Sequence, residues 1–404
     1  MPRKAFPSGE SQNHHLQGGT IVSTSTLTTF QEILHGLVER PNIRQAIAAV
    51  KSPRHSIEWV GTAAASNSAV EKPNPDTPFF LASIDKLFNA TITMKLYEKG
   101  LVDLEQTIVS LLSSDVLNGL HVFNGTDYTS QITIRHLLTH TSGLPDWLEE
   151  SPKGGKSLVD QVLEEGDRPM TFEQFSRLVA EDLTPHFPPQ DLSKGRPKIR
   201  YSDSNFILLI RIIEKITGNP LHKVHQDLLY EPLGLNHTYF PGQSEPLAPT
   251  PPGMPLLANG KPIEIPHLLD FLRGIYSNTG DMLTFMQRLT GGVIFEKPET
   301  LSLMMDDWLR FGFPLDAAAM RSPGWPIEYG KGIMRFQLPR LFTSMMLLPP
   351  LLGHTGSTGC WLFWSADDDA FFTGSVDEVT AGPIPFRAGP LFLAAVREII
   401  EKSS

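Results

Sequence analysis

Residues 83–100 constrain the fold more than any other segment. Leu87, Ala90, Met94 and Tyr97 recur at helical spacing, and Ile84, Phe88, Ile92 and Leu96 add a second apolar stripe. A helix apolar on most of its sides has no face to offer water, so it belongs in an interior with other layers around it. Gly100 supplies a C-cap. Burial of this helix holds its N-terminus rigidly, and there stands Ser83-Ile84-Asp85-Lys86. Serine and lysine three apart share a helix face. A hydroxyl and an amine so placed suit acyl transfer: the serine attacks a carbonyl and the amine handles its proton. On its own, an S-x-x-K reads as a capping serine followed by a solvated lysine, and a chain this long holds about one by chance.

The rest of the chain predicts what surrounds this helix. Residues 28–38 pattern as an amphipathic helix. Residues 47–50 and 56–61 read as strands joined at Ser52-Pro53-Arg54. From 101 to about 288 the pattern is helices and loops, clearest at 132–139 and at 206–216, which Gly218 closes. The proline-rich 247–262 reads as a surface loop. Strand patterns return at 332–338, 360–365 and 370–375, the last two flanking Asp367-Asp368-Asp369, and 391–400 reads as a closing helix. Strands at both ends around a helical middle predict an α+β fold. Residues 1–22 read as a flexible tail. Residues 23–82 and 325–404 form one α/β domain built from both termini, and 83–324 a mainly helical domain. With 404 residues, 40% of them apolar, the chain can bury a core of that size.

Two further segments carry chemistry. Tyr201-Ser202-Asp203 sits where an extended stretch meets the 206–216 helix, which places a phenol on a loop at a helix start. His354-Thr355-Gly356-Ser357 precedes the strand that starts near Cys360. Gly356 allows close approach of a substrate to the backbone, and the N–H groups of Ser83 and Ser357 can pair as an oxyanion hole. Together the three motifs resemble the serine β-lactamase and D-alanyl-D-alanine carboxypeptidase superfamily, in its class C-like branch, which includes family VIII carboxylesterases. The segment Ile134-Arg135-His136-Leu137-Leu138-Thr139-His140-Thr141-Ser142-Gly143-Leu144-Pro145 and the run from Gly353 to Gly359 are similarly typical. The resemblance runs from about Phe30 to the C-terminus. It implies a β-lactamase/transpeptidase-like fold, an antiparallel sheet flanked by helices with an inserted helical domain. It also implies Ser83 as nucleophile, Lys86 as its proton partner, Tyr201 as general base and then acid, and His354 on the substrate side of the site.

Three positions depart from the branch. His354 stands where its β-lactamases carry lysine, although some D-peptidases and esterases carry histidine. Asp203 replaces the usual asparagine, and Asp85 a small residue. A histidine is mostly neutral at pH 7. An aspartate in the substrate-binding position repels an acidic substrate and, when ionised, donates no hydrogen bond. The departures favour esters over β-lactams, with the difference narrowing toward pH 6 if His354 gains a proton. The reading is therefore a serine hydrolase that forms an acyl-enzyme, a carboxylesterase for small to medium acyl esters. The alternatives are a D-stereospecific peptidase or β-lactamase, an acyltransferase, and a non-catalytic binding protein of the same fold. The apolar 345–352 segment reads as an acyl-pocket wall, or else as a core strand with a Pro-Pro break.

The remaining features exclude or stay bland. A net charge of −10 argues against nucleic-acid and anionic-membrane partners. No apolar run suits a transmembrane span or a signal-peptide core, which with a single cysteine, Cys360, points to the cytoplasm. The expected partner is a small-molecule ester or amide. No cofactor is called for, and no metal. His136 and His140, at i and i+4, read as buried hydrogen-bonding histidines, His222 and His225 as surface residues, and Cys360 as a buried structural thiol.

Overall fold

The computed structural model describes residues 24–66, 70–338 and 347–403. The expected N-terminal tail lies outside them, as do Met345 and Met346. Eight antiparallel strands form the main sheet. From one edge to the other they are Ile57–Ala64, Gln45–Ser52, Ala370–Val376, Trp361–Ser365, Leu351–Thr355, Met334–Phe336, Glu328–Tyr329 and Leu309–Arg310. Gln45–Ser52 thus pairs directly with the C-terminal strand Ala370–Val376, so the sheet joins strands far apart in sequence. This is the α+β arrangement that the strand and helix order predicted, and the β-lactamase/transpeptidase-like fold that the motif resemblance implied.

The sheet is covered on both faces, and period-2 alternation divides its side chains between two cores. Along Gln45–Ser52, Ile47 and Ala49 face one core, while Ala46, Ala48 and Val50 face the other. The outer core lies under helices Thr24–Val38 and Pro385–Ser403. There Phe30, Trp59, Trp361 and Phe392 meet with ring centroids 5.3–6.1 Å apart. The inner core holds the central helix Asp85–Glu98, whose residues 85–94 are all buried. Leu87, Phe88, Ile92 and Met94 lose all contact with solvent, each contributing about 1.5–3 kcal/mol of transfer free energy. The helix passes so close to the sheet that a side chain on Gly332, at φ +76°, would stand 2.1 Å from the Ala90 Cβ.

Several boundaries differ from the sequence reading. The proline-rich 247–262 segment ends in a hairpin, Leu256–Ala258 with Lys261–Ile263. Its first strand is buried because Leu257 N–H donates to Asp377 O at 2.7 Å. His225 is not a surface residue. It is fully buried under the central helix, with Nε2 2.9 Å from Asn89 Oδ1 and Nδ1 3.1 Å from the Tyr230 hydroxyl. The lone signal of a histidine in a polar-looking helix could not reveal that partner, 136 positions away.

Candidate active site

Ser83 is delivered by a tight turn, Ala82–Ile84, that leads into the central helix. Ala82 takes φ +43°, a left-handed conformation that costs a non-glycine residue about 1–3 kcal/mol. The turn is held from behind. Cys360 Sγ lies 3.1 Å from Leu81 O, and a Cβ on Gly356 would fall 2.8 Å from Leu81 O and 2.9 Å from the Ala82 Cβ. Only a glycine lets the 356–359 loop lie this close to the turn. Cys360 is buried and its thiol is pushed up to about 12, mainly by burial, which makes it an inert strut. Ser357 is exposed beside this loop, and neither its backbone N–H nor that of Ser83 has a hydrogen-bond partner among the described residues.

Lys86 Nζ donates to Ser83 Oγ at 3.0 Å. The same ammonium lies 2.5 Å from Asp203 Oδ1 and 3.9 Å from Asp85 Oδ1. Burial favours the neutral amine, but Asp203 and then Asp85 outweigh it, and the pKa of Lys86 is raised. Lys86 is therefore a firm cation. Asp203 is buried beside it and does not face open solvent as a substrate-repelling group would. Asp85 is buried as well, with no hydrogen bond to its Oδ1 among the described residues, and burial lifts its pKa to about 7 against the pull of Lys86.

Tyr201 precedes the helix Asp203–Thr217, with Ser202 in the N-cap position. The segment from His140 to Trp147 fixes its place. Arg200 N–H donates to His140 O at 3.0 Å, Ser202 and Ser204 hydroxyls donate to Pro145 O at 2.9 and 2.6 Å, and Asp203 N–H donates to Asp146 Oδ2 at 3.0 Å. The Tyr201 ring lies over Lys86, 5.4 Å from Nζ, and against His140 at 4.3 Å. Burial and then Asp203 drive the Tyr201 pKa well up, and a contact with the Ser83 side chain opposes them. That contact falls short of hydrogen-bond geometry, so the buried phenol oxygen has no partner among the described residues. An unpartnered phenol beside a serine hydroxyl is a group poised for proton transfer.

His354 does not stand at a cleft edge. Its strand, Leu351–Thr355, is internal to the sheet, and the ring has no solvent exposure. Nδ1 donates to Thr355 O at 2.8 Å, which leaves Nε2 to accept from the Tyr329 hydroxyl at 3.0 Å. Burial and then the Lys86 charge lower its pKa to about 3, so it gains no proton near pH 6. Two aromatic neighbours were not foreseen. Tyr329 packs edge-on against His140, Tyr201 and His354. Its only sequence signal is an aromatic just before Gly330-Lys331-Gly332. His140 accepts from Ser202 N–H at 3.2 Å and is buried, as expected of a hydrogen-bonding histidine. It does not share a helix face with His136, because that helix ends at Leu138 and His140 turns inward at φ +54°. Among the described residues no cluster of His, Cys, Asp and Glu could hold a metal, and no helix is long and apolar enough to cross a membrane.

The apolar 345–352 segment contributes a core strand. Leu348 and Leu351 pack in the outer core, where Leu351 lies under Gly389, and Leu347 is exposed. Only Leu352 turns toward the inner core. Strand alternation decides this, since Leu352 and His354 share one face and Leu351 takes the other.

Comparison with known proteins agrees with this geometry. The family model described as Beta-lactamase matches residues 30–376. The chain is 31% identical over 180 residues to the monacolin J acid methylbutanoyltransferase of Aspergillus terreus, a match covering 42% of this chain and 40% of that protein. It spans less than half the length of the first curated relatives it matches. The structure of D-amino acid amidase from Ochrobactrum anthropi SV3 superposes with a TM-score of 0.69 at 19% identity, over 94% of this chain and 99% of that one. EstCE1, a hydrolase with promiscuous acyltransferase activity, superposes with a TM-score of 0.64 at 19% identity, over 92% and 98%. At such identities the two structures speak for the fold, and the family model for descent: this chain belongs to the Beta-lactamase family.

Proposed function

We propose that the protein is a carboxylesterase that hydrolyses small to medium, uncharged acyl esters through an acyl-enzyme on Ser83. The observation that carries this reading is the state of the charges around Ser83. The ammonium that reaches it, Lys86, is already neutralised by Asp203 and flanked by Asp85. His354, in the position that would offer a second cation, is neutral and buried. A substrate carboxylate placed here would be buried without a counter-charge, which is costly. A neutral ester meets no such penalty.

In the proposed reaction Ser83 Oγ attacks the acyl carbonyl. Its proton passes to Lys86 as Lys86 gives one to Asp203. The Tyr201 phenol protonates the departing alkoxide and becomes a phenolate. The phenolate then takes a proton from water, and the hydroxide attacks the acyl-enzyme. Ser83 recovers its proton from Lys86, which recovers its own from Asp203. The backbone N–H groups of Ser83 and Ser357, which have no other partner among the described residues, would bind the oxyanion at each stage.

The test compares p-nitrophenyl butyrate with nitrocefin. The expected kcat/KM ratio is at least about a hundredfold in favour of the ester, or about 2.7 kcal/mol of transition-state binding. Ser83→Ala should abolish both turnover and labelling by a fluorophosphonate. Faster hydrolysis of nitrocefin than of any ester would overturn the reading in favour of a β-lactamase or D-peptidase. Similarity to a methylbutanoyltransferase keeps acyl transfer as a second reading. Ester product forming faster than free acid when an alcohol is added would establish it. Labelling without turnover of any ester, amide or lactam would point to a binding protein.

A further inference from the structure

Four of the large apolar side chains left open to solvent fall within thirteen residues: Phe313, Leu315, Met320 and Trp325 are 68%, 92%, 68% and 41% exposed. Apolar residues scattered singly over a surface need no explanation, but a contiguous group beside a candidate active site does. Phe313 and Trp325 stack at 4.9 Å. Of these four, Phe313 and Leu315 belong to one wall of a cleft of about 490 Å³, formed from residues 310–316, 318, 319 and 322–324, within the size range of small-molecule sites; Met320 and Trp325 lie outside its lining. The opposite wall is residues 197–201, ending at Tyr201 itself. Ser83 does not line this cleft, so Tyr201 is the surface that the cleft and the nucleophile share.

The charges along the cleft are arranged to close on one another. Arg200 makes two bonds to Asp316, at 2.8 and 3.1 Å, and a third to Glu150 at 3.0 Å, while His186 also meets Glu150 at 2.7 Å. Asp316 in turn caps the short helix Ala317–Arg321, accepting from Ala319 N–H at 2.8 Å. Arg321 returns to Glu149 at 2.8 Å. The apolar wall is thus clamped at both ends of that helix to the elements that carry Tyr201 and Asp146. Lys198 stays at the exposed rim. Of the charged residues in the lining, Glu150, His186, Arg200, Arg310 and Asp316 stand in ion pairs, and Ile199, Phe311, Phe313 and Leu315 supply the apolar contact that suits a hydrocarbon chain.

We propose that this clamped apolar cleft is the site that receives the acyl chain, and that it selects esters of medium-length, unbranched aliphatic acids over acetates. The proposal rests on the esterase reading above. Its test is a series of p-nitrophenyl esters from acetate to octanoate, with two variants. Ala319→Trp fills the cleft, and Phe313→Asp sets a charge on its apolar wall. The expected result is a wild-type kcat/KM that rises with chain length, and a fall of about tenfold or more in the octanoate-to-acetate ratio in each variant. A ratio unchanged in both folded variants would overturn the assignment. Failure of the esterase reading is seen separately, with ethyl and octyl fluorophosphonates, which phosphonylate Ser83 with loss of fluoride and need no turnover. If Ser83 is labelled but no ester turns over, a faster rate with the octyl probe that Ala319→Trp removes still supports the chain site. Equal rates for the two probes refute it, as does a Ser83 that neither probe labels.

Discussion

The pairing of Lys86 with Asp203 invites a direct perturbation, because asparagine keeps the shape and the acceptor oxygen of Asp203 and removes only its charge. At an effective dielectric of about 20, a unit pair at 2.5 Å is worth about 6.6 kcal/mol and one at 3.9 Å about 4.3 kcal/mol. Asp203→Asn therefore removes about three-fifths of the attraction that holds the Lys86 charge in the interior when both carboxylates are ionised, and most of it near pH 6, where Asp85, with its pKa at about 7, has taken up a proton. Part of this is returned, since the variant no longer buries the Asp203 carboxylate or sets it against Asp146, whose pKa is raised by burial and then by Asp203. Breaking a buried ion pair by removing one partner typically costs about 3–5 kcal/mol, and that is the expected loss of stability near pH 6. The pH dependence follows from the sign of the Lys86 shift. In the wild type the folded pKa lies above the ordinary lysine value of 10.5, so the stability from this lysine is complete below that value and nothing is lost between pH 6 and 9. In the variant, burial is the dominant influence and lowers the pKa. The folded state then binds fewer protons than the unfolded one, and the deficit shrinks as pH rises toward 10. Urea unfolding at pH 6, 8 and 9.5 measures the deficit. The rate of Ser83 labelling by a fluorophosphonate, followed over the same range, should show a new rising limb in the variant as the amine becomes a base. Stability within about 0.5 kcal/mol of wild type, together with superimposable pH profiles, would refute the argument.

Three further outcomes follow from the site. Lys86→Ala and Tyr201→Phe should each lower kcat by about a hundredfold or more, and the double variant should be little worse than either; strictly additive losses would separate the two roles. Asp85 binds its proton more tightly in the folded state, with a pKa of about 7 against the ordinary aspartate value of 3.8, so its burial penalty is complete above pH 7 and disappears as pH falls through 7 toward 4. Asp85→Asn should accordingly raise stability at pH 8 by an amount on the order of 4 kcal/mol, a gain that unfolding curves at pH 4.5 should show nearly gone. With His354 held neutral down to about 3 and Asp85 the carboxyl beside Lys86 that titrates at about 7, the butyrate-to-nitrocefin ratio of Asp85→Asn should stay constant between pH 7.5 and 5.5; a ratio that narrows toward acid pH in that variant would mean that His354 takes up a proton in the working enzyme.

What the sequence determined by itself was local and periodic. The two apolar stripes after Ser83 dictated a buried helix, because no amphipathic arrangement satisfies both. Three residues of helix dictated that Lys86 reach Ser83, and it does, at 3.0 Å. The alternating strands at the two ends predicted the α+β sheet, and the motifs pointed to the family that the comparisons show. Tertiary structure decided what each side chain meets across the chain. Asp203 stands 117 positions beyond Lys86 in sequence, so its charge looked free to face a substrate until folding placed it on the lysine. His354 was legible as a residue and not as an environment: only the strand order showed that it lies inside the sheet, under Tyr329, where desolvation outweighs its ordinary basicity. The 345–352 segment was equally apolar in either role, and the register of one strand assigned Leu351 to the core. Periodicity reports which face of an element is buried, but partners, and therefore charge states, depend on contacts between elements that no local pattern encodes.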